Sequence, residues 1–145
     1  PLDLGTGVLL AIYHDAAEIL TGDLPTPVKY VSSEISAAYK PVEVAACQSL
    51  LDLLPADLRE DYTPYLLPAD HYPRYLPYLK AADRFSALVK CMEETRQGNF
   101  EFRRAAAQTR EAITAMALPE ADCFLQDFIP AFEKTLDELQ TQEEL

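Results

Sequence analysis

Apolar residues recur every three or four positions along most of the chain, which is the spacing of one face of an α-helix. The first such segment, residues 4–21, is apolar on nearly all sides, so the pattern predicts a central, buried helix. Gly22 is expected to end it, and Pro25 and Pro27 prevent the helix from resuming. No segment alternates convincingly between apolar and polar residues, so no strand is predicted.

A second helix is predicted over residues 34–54, where Ser32 or Ser33 can cap its start. Pro41 lies inside this segment, so the helix either kinks there or ends and gives way to a new one. Tyrosines and prolines alternate over residues 67–77, where we expect a structured loop or a broken helix start.

The other helices have recognisable boundary signals. Asn99 can cap one start, Pro119 suits a first helical position, and Pro130 is expected to kink the last helix. In chain order these helices are predicted over residues 56–66, 77–97, 100–117 and 120–139. The predicted fold is all-α, a compact bundle of six or seven helices in a single domain over residues 1–145.

Length, composition and charge narrow the class of protein. With 145 residues, 49% of them hydrophobic, the chain suits one globular domain with a sizeable core. Its net charge of −12 would repel a nucleic-acid polymer, because such binding depends on lysine and arginine displacing counterions. No apolar run is long enough to cross a membrane, so we predict a cytoplasmic protein without a membrane partner.

Three cysteines, Cys47, Cys91 and Cys123, lie far apart in the sequence. None forms a C-x-x-C pair, and an odd number of scattered cysteines indicates reduced thiols in a reducing compartment. They are expected to act as small, buried apolar residues.

The first helical segment carries three strongly polar side chains, His14, Asp15 and Glu18. Residues three or four apart share one side of a helix, so Glu18 overlooks the same spot as the other two. A buried carboxylate is costly without a positive partner, yet no lysine or arginine precedes Lys29. A distant basic group or a metal must supply the charge, and imidazole with carboxylate suits Mn²⁺, Co²⁺, Zn²⁺ or Fe²⁺. The alternative is a core histidine hydrogen-bonded to a carboxylate.

Two polar residues farther along the chain are also candidates. Asp83 lies among small apolar residues and is either an inward-facing ligand or an ion-pair partner of Lys80 or Arg84. His71, in the stretch rich in tyrosine and proline, is a weaker candidate. The tyrosines of residues 62–78 are most simply a packing surface or an interface.

Residues 22–27 follow the polar triplet directly and contain two prolines. The segment is either a simple helix terminator or a stiff rim that presents Asp23 and Thr26 to a ligand. Lys29 follows it and is either solvated or placed to face a phosphate. With four glycines in the whole chain, a glycine-rich phosphate loop is nearly excluded.

These residues together resemble a known family. His14-Asp15 on one helix, with a lone Asp83 on a later one, resembles the HD-domain metal-dependent phosphohydrolases. The stretch YHDAAEILTGDLPTPVKY, with KAADRFSALVKCMEE and FIPAFEKTLDEL farther on, is similar to one subgroup, the bacterial 5′-deoxynucleotidases of the YfbR type. The resemblance implies hydrolysis of deoxyribonucleoside 5′-monophosphates to deoxynucleosides and phosphate. It also implies one divalent metal ion (Co, Mn, Zn or similar) and a homodimer.

The resemblance assigns a role to each matching residue. The implied metal ligands are His14, Asp15 and Asp83. Asp15 and Glu18 are the implied catalytic residues, with Glu18 beside the metal-bound water and the phosphate. The implied substrate-binding residues are Asp23, Leu24, Pro25 and Thr26.

One departure from the family pattern concerns the start of the chain. The family has a further metal-binding histidine, a phosphate-orienting arginine and an aromatic neighbour upstream of the His-Asp pair, whereas only thirteen residues precede His14 here. We therefore expect an N-terminally incomplete domain that, by itself, binds metal weakly or not at all and has little activity.

Two other functions remain open at this point. Another HD-type hydrolase would act on nucleoside triphosphates, cyclic nucleotides or alarmones, and the intact TGDLPTPVK loop argues against it. A catalytically inactive helical interaction module would keep the fold and lose the metal, and the missing upstream histidine favours it.

Overall fold

The computed structural model describes residues 2–24 and 32–140. Its regular elements in these ranges are α-helices and 3-10 helices, with no strand, so the all-α prediction is confirmed. Six of the helices described there have nine residues or more, which agrees with the six or seven predicted. Within the same two ranges, no helix combines the length and the apolar character that crossing a bilayer requires.

The helices follow one another through short connections. In chain order they are α1 (Leu4–Tyr13), α2 (Glu18–Thr21), α3 (Ser33–Leu53), α4 (Ala56–Leu66), α5 (Pro68–His71), α6 (Leu76–Arg96), α7 (Phe102–Thr114), α8 (Pro119–Asp127) and α9 (Leu136–Gln140), with 3-10 helices at Pro73–Tyr75 and Ile129–Glu133. The chain divides into two compact units, Pro1–Leu79 and Lys80–Leu145. The prediction of one domain over residues 1–145 stays a prediction.

The helix predicted over residues 4–21 is broken in the structure. α1 ends at Tyr13, a turn covers residues 14–17, and α2 follows, so the prediction of one continuous helix is wrong. The stop at Gly22 is confirmed, because its φ of 71° lies in the left-handed region that glycine adopts without strain.

The expectation that this first helix is central and buried is also wrong. α1 packs mainly on α4, and Leu10 on that side is fully buried. Leu4 and Ile12 are 81% and 64% exposed. A helix that is apolar all round is buried only where neighbours cover every face, and α4 covers one.

α3 is a single helix that continues through Pro41. Ser32 caps it, since its Oγ accepts a hydrogen bond from the Ile35 N–H at 3.2 Å. Pro41 is exposed, and of the two alternatives for this segment the structure selects a helix that does not end there. The inner side of α3 contributes Ala46 and Cys47, which pack with Ala17, Leu51 and Leu66 in the core of the first unit.

Five tyrosines of the first unit form a chain of ring contacts, which we term the tyrosine ladder: Tyr13, Tyr62, Tyr65, Tyr72 and Tyr75. Successive ring centroids lie 5.7 to 6.5 Å apart, the distance range of favourable aromatic pairs. At the end of the ladder, the Tyr75 hydroxyl accepts a hydrogen bond from the Asp3 N–H at 2.8 Å. The expected packing role is confirmed for the four members of the ladder within residues 62–78.

The second unit has a core of larger side chains. Leu88, Ile113 and Ile129 are almost completely buried and pack with Ala81 and Ala121. Phe85, Phe124 and Phe128 stack beside this core, with centroids 4.6 and 5.0 Å apart. The long helix predicted over residues 77–97 is found within one residue, as α6.

Two boundary predictions in the second unit are wrong. Asn99 does not cap α7, because its side-chain amide donates to Glu94 Oε2 at 3.0 Å and α7 begins at Phe102. The helix predicted over residues 120–139 is divided into α8, a 3-10 helix that contains Pro130, and α9, because proline lacks the N–H that a continuous helix needs. The position of Pro119 at the start of α8 is confirmed.

The cysteines agree only in part with the prediction. All three are free thiols, and Cys47 and Cys91 are buried. Cys123 is exposed, and its thiol donates to Asp127 Oδ2 at 3.0 Å, so it is not the buried apolar residue that we expected.

Candidate functional site

The candidate site begins at the turn of residues 14–17, which separates α1 from α2. The Ala16 N–H bonds to the Tyr13 carbonyl at 3.0 Å, and the Glu18 N–H bonds to the Asp15 carbonyl at 2.9 Å. Bonds that span three residues tighten the backbone relative to an α-helix. The turn therefore projects His14 and Asp15 from a break between two helices.

Both ring nitrogens of His14 have a partner. Nδ1 lies 2.8 Å from the Ala11 carbonyl oxygen, and since a carbonyl only accepts, Nδ1 carries a proton and donates it. Nε2 lies 2.9 Å from Asp15 Oδ2. Nε2 then either carries a second proton, in an ion pair with Asp15, or presents its lone pair with the carboxylate to a shared cation.

The pair is more exposed than the sequence suggested. The side chains of His14 and Asp15 are 37% and 58% exposed, and none of the described polar or charged residues is buried. The expectation of a buried, unneutralised carboxylate is therefore wrong. Because both side chains are exposed to water, no cation is needed to offset a buried charge. The case for a metal then depends on the geometry of the pair.

The distance between these two atoms suits two neighbouring ligands of one divalent ion as well as it suits the ion pair. Ligand atoms at right angles around an ion, each about 2.0–2.1 Å from it, lie about 2.9 Å apart. His14 Nε2 and Asp15 Oδ2 have this separation. A backbone carbonyl on the other ring nitrogen, here that of Ala11, is a usual partner of a metal-binding histidine.

Glu18 and the start of the following loop lie close to this pair along the chain. The Gly22 N–H donates to the Glu18 carbonyl at 2.9 Å, which fixes the end of α2. The Tyr39 hydroxyl, on α3, donates a long hydrogen bond of 3.5 Å to the Gly22 carbonyl oxygen. Asp23 is exposed and Leu24 is half-buried. A contact at the long limit of hydrogen bonding thus links the residue before the predicted rim to α3.

Three predicted candidates lie outside the described residues: Pro25, Thr26 and Lys29. Their assignment to a substrate-binding rim stays a prediction.

Asp83 lies on α6 in the second unit, where its side chain is exposed. Within the described residues it forms no ion pair with Lys80 or Arg84, and the Arg84 guanidinium instead donates to the Ala112 carbonyl at 2.8 Å. His71, the weaker candidate, ends α5 and is exposed. The ion-pair alternative for Asp83 thus has no support in the described part of the chain.

The described residues do not bring a complete set of metal ligands together. In the ranges 2–24 and 32–140, no group of three or more histidine, cysteine, aspartate or glutamate side chains could hold an ion. The structure therefore joins His14 to Asp15, and the described part of the chain places no third ligand of these types around them.

The connection between the tyrosine ladder and the candidate site was not predicted from the sequence. Tyr13 immediately precedes His14, and its ring contacts Tyr62 and Tyr65. The hydrogen bond with the Tyr62 hydroxyl, followed by desolvation, raises the pKa of Tyr13. The three-residue spacing of Tyr62 and Tyr65 was the available signal, because it places both rings on one side of α4.

Comparison with known families identifies the family to which the chain belongs. The fold class is all-α, with an imidazole–carboxylate pair at a helix break. The family model described as "5'-deoxynucleotidase YfbR-like" matches residues 1–132. The chain belongs to the YfbR-like family, which confirms the resemblance seen in the sequence.

Individual relatives agree with this assignment. A 5'-deoxynucleotidase of Vibrio atlanticus (strain LGP32) is 44% identical over 131 residues, which cover 90% of this chain and 68% of that protein. One from Vibrio cholerae serotype O1 is 45% identical with the same coverage. A 5'-deoxynucleotidase yfbR of Photorhabdus temperata is 44% identical, and the match covers 66% of its length. The chain thus spans about two thirds of these relatives.

Proposed function

We propose that this protein is a metal-dependent phosphomonoesterase that hydrolyses deoxyribonucleoside 5′-monophosphates to deoxynucleosides and phosphate. The observation that carries the proposal is the family match over residues 1–132, which includes both the turn at residues 14–17 and α6. Relatives that are 44–45% identical over 90% of this chain carry the name 5'-deoxynucleotidase, which supports the same activity here.

His14 and Asp15 would hold the divalent ion, and Asp83 would be the third ligand of this chain. The 2.9 Å separation of Nε2 and Oδ2 in the first two supports their part. The bond from Nδ1 to the Ala11 carbonyl fixes the ring so that Nε2 faces Asp15. When bound, a divalent ion of this kind supplies Lewis-acid polarisation of a phosphate oxygen and lowers the pKa of a bound water.

Glu18 would position the attacking water and accept its proton. Its N–H bonds to the Asp15 carbonyl at 2.9 Å, so its position is coupled to that of the proposed ligand. Asp23, Leu24, Pro25 and Thr26 would form the rim that contacts the nucleotide. The preference for deoxy substrates would come from a site too tight for a 2′-hydroxyl.

The family resemblance also leads us to propose a homodimer in the cytoplasm, folded as one domain over residues 1–145. The three free thiols support a reducing compartment.

Phosphate release by the full-length protein from dAMP and from AMP, with and without added Mn²⁺ or Co²⁺, tests the proposal, because residues 1–145 alone are expected to have little activity. We expect release that depends on the metal and is faster from dAMP. Asp15→Ala should lower the rate by at least about 100-fold, since loss of an outer partner of a metal ligand alone costs up to that much. Asp70→Ala is the matched control, because Asp70 is an exposed carboxylate on α5, in the same unit.

The outcomes separate the alternatives. Unchanged turnover in Asp15→Ala would remove this residue from the mechanism. Equal rates on dAMP and AMP, or release only from a triphosphate, would favour another nucleotide phosphohydrolase.

A non-enzymatic interaction module is favoured by one observation, the lack of a three-residue ligand group within the described ranges. Calorimetric titration of the full-length protein with Mn²⁺ discriminates it, because residues 1–145 alone are expected to bind metal weakly in either case. Stoichiometric binding that Asp15→Ala abolishes supports the enzyme, and no binding together with no phosphate release supports the module.

A further inference from the structure

The second unit contains a cleft of about 410 Å³ that is separate from the residues assigned to catalysis. It lies between the C-terminal half of α6, one side of α7 from Arg103 to Arg110, and the 3-10 helix Ile129–Glu133. Its volume falls in the range of about 300–1,000 Å³ that is usual for small-molecule sites.

The charge of the cleft is opposite to that of the whole protein. Arg96, Arg103 and Arg110 line it together with one acidic residue, Glu133, which leaves a formal excess of two positive charges. The chain has 12 lysines and arginines and a net charge of −12, so a quarter of its basic residues surround one small cavity. A local field of this sign concentrates anions against the average repulsion of the protein.

The spacing on α7 keeps the cleft open. Arg103 and Arg110 are seven residues apart, so they share one side of the helix and start about 10.5 Å apart along its axis. Ala106 and Ala107 lie between them and also line the cleft. Because alanine has a short side chain, the space between the two guanidinium groups is not filled.

The floor and walls of the cleft are apolar. Leu88 is almost completely buried, and Met92 packs against the same core. Phe100 and Phe132 also line the cavity, and both rings are exposed by about half. Exposed phenyl rings beside guanidinium groups suit a ligand that has a flat or apolar body as well as a negative charge.

Within the described residues, none of the three arginines forms an ion pair shorter than 3.5 Å. The Arg103 guanidinium lies over the Phe100 ring, 4.1 Å from its centroid, so its flat face is used and its N–H edge is left for an acceptor. Arg110 and Glu133 are joined by one contact of 3.5 Å. Arg96 donates to the Lys134 carbonyl at 3.4 Å. Both contacts are at the long limit of hydrogen bonding, so a carboxylate or phosphate could replace them.

We propose that this cleft binds a small organic anion in which a carboxylate or a phosphoryl group is attached to a planar ring. The anionic group bonds to Arg103 and Arg110, and the ring lies on the apolar floor against Phe132. Glu133 limits the affinity, because it competes for Arg110.

Calorimetric titration with phenylphosphonate and with benzoate tests this proposal. Neither probe has a phosphate ester to hydrolyse, and EDTA in the buffer prevents capture by a metal at the turn of residues 14–17. Inorganic phosphate and benzyl alcohol supply the charge alone and the ring alone. We expect at least one of the two aromatic anions to bind at least about tenfold more tightly than either control, with the tighter probe identifying the acid.

Neighbouring arginines give a matched pair of variants. Arg103→Gln should weaken that binding by about tenfold or more, whereas Arg104→Gln, which changes an exposed arginine outside the cleft, should leave it unchanged. Glu133→Gln should strengthen binding by a few fold, because it releases Arg110 and removes the negative charge. Circular dichroism melts of the three variants establish that each is folded.

The proposal is overturned if neither aromatic anion binds more tightly than its controls. It is also overturned if Arg103→Gln and Arg104→Gln, both folded, weaken binding equally, since that would indicate attraction to general surface charge.

Discussion

In the first unit, α1 leaves Leu4 and Ile12 largely exposed, whereas the second unit almost completely buries Leu88 and Ile113. Among the described residues, eleven of the large apolar side chains that are exposed lie in the first unit and four in the second. The buried cluster of the first unit includes three small residues, Ala17, Ala46 and Cys47, and the tyrosine ladder packs beside it. An apolar helical pattern therefore predicts which side chains could be buried. It does not show that a neighbouring helix packs against them.

The largest expected effect is on the free energy of unfolding, and it compares two isoleucines, one in each unit. Ile113 is fully buried and Ile12 is 64% exposed, so the same change to alanine removes core packing in one place and exposed surface in the other. Ile113→Ala should lower the free energy of unfolding by about 2–5 kcal/mol. Ile12→Ala should change it by about 0.5 kcal/mol or less, since alanine also favours the helix. Urea unfolding followed by circular dichroism measures both.

A large loss of stability in Ile12→Ala would contradict the exposure of Ile12 on which this prediction depends. It would mean that the apolar side of α1 is covered in solution, by another copy of the chain or by another segment. Dilution distinguishes the two, because only cover by a second copy depends on protein concentration.

The next largest expected effect is a lower melting temperature on changing a residue of the tyrosine ladder. The Tyr65 ring contacts Tyr13 and Tyr72 at centroid distances of 6.5 and 5.9 Å, so it joins α4 to α1 and to the segment after α5. Tyr65→Ala should lower the melting temperature by roughly 5 °C, because two aromatic contacts are lost together. Tyr65→Phe keeps both ring contacts and should lower it by no more than about 1–2 °C.

The two variants also distinguish ring packing from hydroxyl chemistry. Equal losses in Tyr65→Phe and Tyr65→Ala would show that the hydroxyl matters more than the ring contacts, and that the first unit depends on polar contacts rather than on aromatic packing.

Local signals in the sequence were sufficient for some of the helix ends, although the cap predicted at Asn99 failed. α4 was predicted with the bounds that the structure gives, because Pro55 marks its start and the apolar pattern ends at Leu66. The Ser32 cap of α3 and the Gly22 stop were predicted for similar reasons. Each of these signals acts within a few residues of the backbone group that it satisfies.

The break at residues 14–17 could not be predicted from periodicity. Apolar residues keep their helical spacing through Tyr13, Ala16 and Ala17, while the turn is held by three-residue backbone bonds and by the imidazole bonded to the Ala11 carbonyl. Hydrophobic patterning contains no information on a side-chain bond to the backbone.

Part of the candidate site was predictable and part was not. Adjacency in sequence is enough to bring His14 and Asp15 together, and the 2.9 Å contact confirms that they meet. Asp83 lies sixty-eight positions after Asp15 and in the other unit, so its proposed part in the site stays a prediction that depends on how helices pack, which a single sequence does not specify.

The smallest expected effect is a change in melting temperature that depends on pH. It concerns Glu94, a carboxylate on α6 in the second unit. Glu94 Oε1 lies 2.8 Å from Lys90 Nζ, and Oε2 accepts from the Asn99 side chain at 3.0 Å. The hydrogen bond from Lys90, followed by that from Asn99, holds the pKa of Glu94 below its ordinary value of 4.5. A carboxylate whose pKa is lower in the folded state contributes its full stabilisation above pH 4.5, and the contribution is lost as pH falls through the folded pKa.

Glu94→Gln should therefore lower the melting temperature slightly at pH 7, and the difference from the unaltered protein should shrink towards zero as pH falls below 4.5. Glu93→Gln is the control, since Glu93 is exposed and is not hydrogen-bonded to Lys90 or Asn99 within the described residues. Melts at a series of pH values from 7 to 3 measure both variants. A difference that stays constant over this range would mean that the Glu94 contacts stabilise the end of α6 without regard to charge, and the second unit would then depend almost entirely on its apolar core.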